Sequence, residues 1–148
     1  MSERTAGGRI VVGADGSAAS RAALAWAVGQ ARLTGASVEA VIAWEYPAGV
    51  YAGWSAPLPD VDFGELAAKT LSELVATVAA GEPSVEVRQT VVADNASRAL
   101  LDTARGADLL VVGNRGHGGF TEALLGSVSQ HCVQHADCPV VVVRGEKE

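Results

Sequence analysis

The chain is poor in lysine, in aromatic side chains and in cysteine, and each scarcity excludes a class of protein. Only two of its 148 residues are lysine and the formal net charge is −6, so no basic field is available to attract nucleic acid or an anionic membrane surface. Two cysteines, Cys132 and Cys138, are too few for a disulfide scaffold and are typical of reduced thiols in a cytosol. Aromatic residues make up 5% of the chain, so the core is expected to consist mainly of its many alanines and valines.

Long apolar segments are also absent. No stretch approaches the ~20 apolar residues that a membrane-spanning helix needs, and the first residues lack the apolar core of a secretory signal. A length of 148 residues fits one domain. We therefore expect a soluble cytoplasmic protein with a flexible N-terminus at residues 1–8, one domain at 9–145 that contains a flexible loop at 45–61, and a tail at 146–148.

Short valine-rich runs alternate with amphipathic helical segments along the chain. Strands are predicted at residues 9–13, 37–44, 85–92, 109–113 and 139–144, and helices at 18–34, from Asp62 to about Ala80, at 95–105 and from Gly126-Ser127 to near His135. Strands that are buried on both faces and separated by helices are typical of parallel sheets. The pattern predicts an α/β fold with a single open, doubly wound, Rossmann-like sheet of five parallel strands and helices on both faces.

Two of the predicted strands end in glycine, at Gly13 and Gly113. In open α/β sheets ligands bind beyond the carboxyl ends of the strands, where the strand order reverses. If the first and fourth strands are neighbours, the loops that follow them face one crevice. A glycine at this position also serves a tight turn from strand to helix, so neither glycine decides the function alone.

The second of these loops is rich in glycine. Five of the seventeen glycines lie within residues 113–126. Backbone N–H groups in such a loop can converge on an anion, and a helix that begins at Gly126-Ser127 adds free N–H groups and the positive end of its dipole. The hydroxyls of Ser127 and Ser129 can donate hydrogen bonds to phosphate oxygens. The alternative is a flexible loop followed by an ordinary serine N-cap.

Two common phosphate motifs are excluded. A P-loop needs lysine directly after glycine, and neither Lys69 nor Lys147 follows a glycine. A dinucleotide fingerprint needs G-x-G-x-x-G after the first strand. Here Gly116-His117-Gly118 is followed three residues later by Thr121, and the segment comes after the fourth strand.

The spacing Gly113-x-x-Gly116, nine residues, then Gly126-Ser127 resembles the G-2x-G-9x-G-S/T signature of the nucleotide-binding universal stress proteins. Residues 13–17 resemble the first loop of that family, and the resemblance covers about residues 9–144. It implies the strand order 3-2-1-4-5, which would place the loop of Asp15 beside the glycine-rich loop. Family members that do not bind ATP usually lack this glycine pattern, so the resemblance implies an ATP-binding protein.

The resemblance also implies a role for each matching residue. Asp15 would accept a hydrogen bond from ribose or order its own loop, although an Asp after a strand also serves as a turn and cap residue. Ala43 and Val112 would lie against the adenine. The full implied cofactor-binding set is Gly13, Ala14, Asp15, Ala43, Val112, Gly113, Asn114, Arg115, Gly116, His117, Gly118, Gly119, Gly126, Ser127, Val128 and Ser129.

A zinc site is the alternative reading of the histidines and cysteines near the C-terminus. His131 and His135 are four residues apart and share a helix face, but Cys132 lies about a quarter-turn away and Cys138 precedes a strand. The residues therefore favour no metal site. A cysteine in a valine-rich core is ordinarily a small hydrophobic residue.

The function that these features favour is a small cytoplasmic ATP-binding universal stress protein that acts as a regulatory binding module. Its cofactor would be ATP, with or without Mg²⁺, and the family resemblance implies a homodimer formed through residues 139–144. The sequence shows no set of residues arranged for efficient catalysis. The alternative function is therefore at most a slow one: ATP hydrolysis or adenylyl transfer on the same scaffold. A phospho-acceptor receiver domain is disfavoured, because Asp15 lacks an acidic neighbour and Arg144 stands where a lysine is needed.

Overall fold

A computed structural model of the chain describes residues 8–45, 62–115 and 126–145. The described strands and helices are β1 (Arg9–Gly13), α1 (Ala18–Thr34), β2 (Ser37–Trp44), α2 (Phe63–Ala79), β3 (Val87–Ala93), α3 (Ala96–Thr103), β4 (Leu109–Gly113), α4 (Ser127–His135) and β5 (Val140–Val143). The expected N-terminal segment apart from Gly8, nearly all of the loop at 45–61, and the tail at 146–148 lie outside the described residues.

The five strands form one parallel sheet in the order β3-β2-β1-β4-β5. The prediction of a doubly wound α/β fold with strand order 3-2-1-4-5 is therefore confirmed. The order reverses between β1 and β4, where Val12 pairs with Val111. Their carboxyl ends consequently lie side by side, as a ligand site at the switch point requires.

Alternating side chains of the strands supply two separate cores. On one face Val12 packs with α1 and α2, whose buried residues include Leu24 and Leu71. On the other face Val11 packs with α3 and α4, which contribute Leu100 and Cys132. The central strands are covered on both faces because helices lie on both sides of the sheet.

The amino ends of the helices differ in how they are capped. Ser17, Asp62 and Asn95 each accept a hydrogen bond from a backbone N–H in the first turn of α1, α2 and α3. The residue before α4 is Gly126, and within the described residues no side chain caps this helix. The N–H groups at the amino end of α4 are thus left to other partners.

Several element boundaries differ from the predicted ones by a few residues. The third strand was expected from Val85 but begins at Val87, because the amide of Val85 donates to the carbonyl of Glu82 in a turn. The third helix was expected over residues 95–105 but spans Ala96–Thr103, since Asn95 is its N-cap and Ala104 its C-cap. In the part of the chain that is described, no helix has the length and apolar character needed to cross a bilayer.

Candidate functional site

A cavity of about 200 Å³ lies at the carboxyl ends of β1 and β4. The loop that follows β1, the end of β4 and the amino end of α4 all contribute to its wall. Its lining residues are Gly13, Ala14, Asp15, Ser20, Val41, Ala43, Ala96, Leu100, Val112, Gly113, Arg115, Gly126, Ser127, Val128 and Ser129. The two sequence segments singled out by their glycines therefore meet at one site.

The loop after β1 is ordered by its own short polar side chains. The amide of Ser17 donates to Asp15 Oδ1 at 2.9 Å, which makes an Asx turn. The amide of Gly16, which has a positive φ of 87°, donates to Ser20 Oγ at 3.1 Å. Asp15 therefore orders its loop, one of the two roles proposed for it, while it remains part of the cavity wall.

The amino end of α4 forms the opposite wall. The amides of Ser127, Val128 and Ser129 have no partner within the helix, and within the described residues no side chain caps them. Ser127 is exposed, whereas Ser129 is buried and its hydroxyl donates to the carbonyl of Gly126 at 3.0 Å. Uncapped amides and the positive end of the helix dipole make this wall suited to an anion.

The rest of the cavity is mainly apolar. Val41 and Ala43 come from β2, Val112 comes from β4, and Ala96 and Leu100 come from α3. An apolar wall facing a set of backbone donors suits a ligand that has a flat apolar part and an anionic part. Among the described lining residues, Arg115 is the one cationic side chain and Asp15 the one carboxylate.

Two glycines of the site are closely packed by neighbouring residues. A Cβ added to Gly13 would lie 2.9 Å from Cδ1 of Leu100, which is itself part of the cavity wall. A Cβ added to Gly113 would lie 2.8 Å from the carbonyl carbon of Ala19 at the start of α1. Gly13 thus leaves space beside the cavity, while Gly113 allows helix and sheet to approach each other.

Most of the described members of the predicted set line the cavity, but Asn114 does not. Its main chain and its side chain instead bond to the end of β5 and to the start of α4. Gly116, His117, Gly118 and Gly119 lie outside the described residues.

Four lining residues were not predicted from the sequence: Ser20, Val41, Ala96 and Leu100. Ser20 could have been suspected, since it lies in the first turn of the helix that follows the Asp15 loop. The two α3 residues carry no motif. They reach the site because α3 packs across β1 and β2.

The C-terminal histidines and cysteines do not gather at one point. The rings of His131 and His135 are close, with centroids 4.5 Å apart, so the prediction that they share a face is confirmed. Cys132 is fully buried between α4 and the sheet, and burial raises its pKa to about 11. In the described part of the chain, no three or more His, Cys, Asp or Glu side chains are arranged to hold a metal ion.

Comparison with known sequences identifies the family. A sequence profile described as the Universal stress protein family matches residues 8–144 of the chain. The chain belongs to this family. The family recognised from its glycine spacing is therefore confirmed, and the match covers all three described segments apart from Gly145.

Among curated relatives, a universal stress protein of Mycobacterium bovis is 38% identical over 138 residues. The match covers 91% of this chain but 45% of that protein. The chain thus spans about half the length of the curated relatives that it matches.

Solved structures of universal stress proteins share the fold. One, determined in complex with cAMP, has 27% sequence identity and a TM-score of 0.69, and the match covers 96% of this chain and all of that one. Another, from Archaeoglobus fulgidus, has 24% identity and a TM-score of 0.70 over 91% of this chain and 92% of that one. The second comparison supports the fold alone.

Proposed function

We propose that this universal stress protein is a regulatory module that binds ATP in the cavity between the β1 loop and the amino end of α4. The observation that carries the proposal is the meeting of two walls in one cavity: the apolar side chains of β2, β4 and α3, and the amides at residues 127–129, which no side chain of the described residues caps. The universal stress protein solved with cAMP supports an adenine nucleotide as the ligand.

Each of the two walls would bind a different part of the nucleotide. The adenine would lie against Val41, Ala43 and Val112, and the phosphates would accept hydrogen bonds from the amides at the start of α4. Asp15, which lines the same cavity, would accept a hydrogen bond from a ribose hydroxyl. The helix dipole and Arg115 would supply the positive charge that a P-loop takes from lysine.

Mg²⁺ would arrive with the triphosphate. The described lining offers one carboxylate, Asp15, whose Oδ1 already accepts a hydrogen bond from Ser17. Dedicated magnesium sites usually combine carboxylates with phosphate oxygens and water. We therefore expect ATP to bind both with Mg²⁺ and with excess chelator, and more weakly in the second case.

Binding without efficient turnover fits the described lining. It contains neither a nucleophile paired with a base nor a lysine–arginine clamp for the γ-phosphate. Slow ATP hydrolysis or adenylyl transfer is the alternative activity. Release of phosphate or pyrophosphate by the purified protein at a steady rate, abolished by a cavity-filling substitution, would favour that alternative.

Calorimetric titration of ATP into the nucleotide-free protein tests the proposal. The substitution Ala43→Leu extends a side chain into the cavity, so it should weaken ATP binding by at least about tenfold. Ala68→Leu, on the exposed surface of α2, is the matched control and should bind like the unsubstituted protein. Equal ATP affinity of the two variants, or no heat of binding to the unsubstituted protein, would refute the proposal.

We also propose that two copies pair through the free edge of β5. The strand lies at the edge of the sheet, and all four of its valines are only partly buried. An apolar edge strand with unpaired backbone groups tends to pair with another strand. The two nucleotide sites of such a homodimer would each lie next to the shared edge.

A cytoplasmic location is the third part of the proposal. Both cysteines are free thiols, although Cys138 packs against the core cluster that contains Cys132. Free thiols of this kind persist in reducing compartments. Detection of the native protein in the cytosolic fraction of the source cell, and not in the secreted or membrane fraction, is the expected result.

A further inference from the structure

Asn114 connects three segments of the chain at the carboxyl end of β4. Its N–H donates to the carbonyl of Val143 at 2.8 Å, and its carbonyl accepts from the N–H of Gly126 at 2.7 Å. Its side-chain Oδ1 accepts from the N–H of Gly145 at 3.1 Å. One residue thus bonds to the end of β5, to the residue that follows it, and to the start of α4.

The bond to Gly126 ties the start of α4 to the end of β4. This 2.7 Å hydrogen bond joins two residues that are twelve positions apart in the chain. A second, longer contact of 3.4 Å links the hydroxyl of Ser129 to the same carbonyl. The first turn of α4 is therefore anchored to Asn114 and through it to β4.

The surroundings of Asn114 leave little space for these segments to shift. Gly113 and Gly145 flank the junction, and a Cβ at either position would come within 2.9 Å of Ala19 in α1. Because both glycines approach the same backbone, the ends of β4 and β5 are packed under the start of α1. A displacement of α4 relative to β4 would have to be taken up by the hydrogen bonds of Asn114.

We propose that Asn114 is a positioning residue of the nucleotide site, which joins the phosphate-binding start of α4 to the segment that follows β5. The proposal rests on the proposed function, since it assumes that nucleotide phosphates bind at the amides of residues 127–129. Asn114 does not touch the ligand: it lies outside the cavity wall, and its Oδ1 is directed to Gly145. Occupation of the site holds α4 in place, and Asn114 carries that restraint to Gly145.

The side chain at this position needs an acceptor oxygen, which an amide provides without a negative charge beside the phosphates. Asn114→Ala removes the acceptor, and Asn114→Asp keeps it while adding a charge. Asn95→Ala is the matched control, because it deletes the same side chain at the cap of α3 and leaves the junction at Gly145 intact. The three variants separate the hydrogen bond from general loss of stability.

Amide hydrogen exchange, measured by NMR with and without ATP, tests the inference. In the unsubstituted protein ATP should shift the amide signals of residues 126–129 and slow exchange at Gly145 by about tenfold. In Asn114→Ala the Gly145 amide should exchange faster and should no longer respond to ATP. Asn114→Asp and Asn95→Ala should both keep the response at Gly145.

The outcomes separate this inference from the proposed function. If ATP shifts the amides of residues 126–129 but leaves Gly145 unchanged in the unsubstituted protein, the inference is overturned and the proposed function stands. This comparison does not depend on whether Asn114→Ala folds. Retention of the Gly145 response in folded Asn114→Ala, or its loss in Asn114→Asp at an ATP concentration that saturates the shifts of residues 126–129, also overturns the inference. If no amide at 126–129 responds to ATP, the proposed function itself fails.

Discussion

Position 113 requires glycine because of helix–sheet packing, in addition to its place beside the cavity. A Cβ there would lie 2.8 Å from the carbonyl carbon of Ala19 and 2.9 Å from its oxygen. Since these atoms belong to the backbone of α1, they cannot move without displacing the helix. The first glycine of the family signature is therefore required for helix–sheet packing whether or not a nucleotide is bound.

Gly113→Ala should lower the free energy of unfolding by about 1–3 kcal/mol, because the added methyl group overpacks the contact with α1. Gly29→Ala is the control: an added Cβ meets no atom within 4 Å, and the position lies inside α1. This second substitution should stabilise by about 0.5–1 kcal/mol. Urea unfolding measures both, and effects of the same sign would contradict the packing role.

Cys132 behaves as a buried apolar residue. Its side chain is fully inaccessible between α4 and the sheet. Burial, and to a smaller extent the nearby thiol of Cys138, raises its pKa from 9.0 to about 11. The native state therefore favours the neutral thiol, and ionisation of this group opposes folding.

The stabilising effect of the neutral Cys132 thiol should be complete below pH 9 and should be lost as the pH rises from 9 towards 11. A shift of this size corresponds to roughly 3 kcal/mol. Because the folded-state thiol is only half ionised at pH 11, the difference in unfolding free energy between the unsubstituted protein and Cys132→Ala should fall by about 2 kcal/mol between pH 8.5 and pH 11. A difference that stays constant with pH, measured by urea unfolding, would show that the thiol does not ionise in this range.

At the scale of the elements, the amino end of the sheet is joined by one charged network. Arg9 of β1 donates to Glu39 of β2 at 2.8 Å, and Thr90 of β3 donates to the other carboxylate oxygen at 2.7 Å. Arg9 also donates to two backbone carbonyls at the end of α3. One belongs to Thr103, the last residue of the helix, and the other to Arg105, two residues further on. Three strands and one helix are thus linked through the pair Arg9–Glu39.

Glu39→Ala should destabilise the protein by about 1–3 kcal/mol, because it leaves a partly buried guanidinium and a hydroxyl without their shared acceptor. Glu86→Ala offers a comparison, since its contact with Arg88 is exposed and 3.6 Å long. That substitution should cost at most about 0.5 kcal/mol. Thermal or urea unfolding measures the loss of unfolding free energy in both variants. Equal losses would contradict a stabilising role of the Arg9–Glu39 network.

The elements show which parts of the structure the sequence predicts and why. The bounds of β1, β2 and β4 follow from short apolar runs, because strands buried on both faces tolerate few polar residues. The start of β3 was predicted two residues too early. The alternation of apolar and polar residues already begins at Val85, but the amide of Val85 bonds within a turn. Local pattern does not reveal such a backbone hydrogen bond.

In the candidate site, too, local sequence patterns predicted some residues and tertiary packing placed the others. The glycine and serine positions of both loops were predicted because their spacing is local and characteristic of the family. Ala96 and Leu100 were not predicted, since they enter the cavity only through the packing of α3 on the sheet. The part that Asn114 takes in the junction was also missed, because the partners of its hydrogen bonds lie up to 31 residues away.

At the scale of the whole molecule, the proposed homodimer depends on the outward backbone groups of β5. The carbonyls of Pro139 and Val143 bond to β4. Because successive residues of a strand bond to opposite sides, the N–H and C=O groups of Val140 and Val142 are directed to the free edge. These groups are the ones that a second copy would bind.

Val142→Pro should abolish the dimer while leaving the β4–β5 pairing in place, because it removes an outward N–H group. Gln89→Pro is the matched control: it lies on β3 at the opposite edge, where the carbonyl of Glu86 bonds inward and residue 89 therefore faces outward. Light scattering should give a monomer for the first variant and a dimer for the second. A dimer for Val142→Pro would place the interface elsewhere.

In the function proposed above, one cavity would hold the nucleotide between the β1 loop and the amino end of α4. A crystal structure of the protein grown with ATP tests it most directly. We expect the adenine to lie against Ala43 and Val112, with phosphate oxygens about 2.7–3.2 Å from the amides of residues 127–129. ATP bound at any other place on the protein, with this cavity left empty, would contradict it.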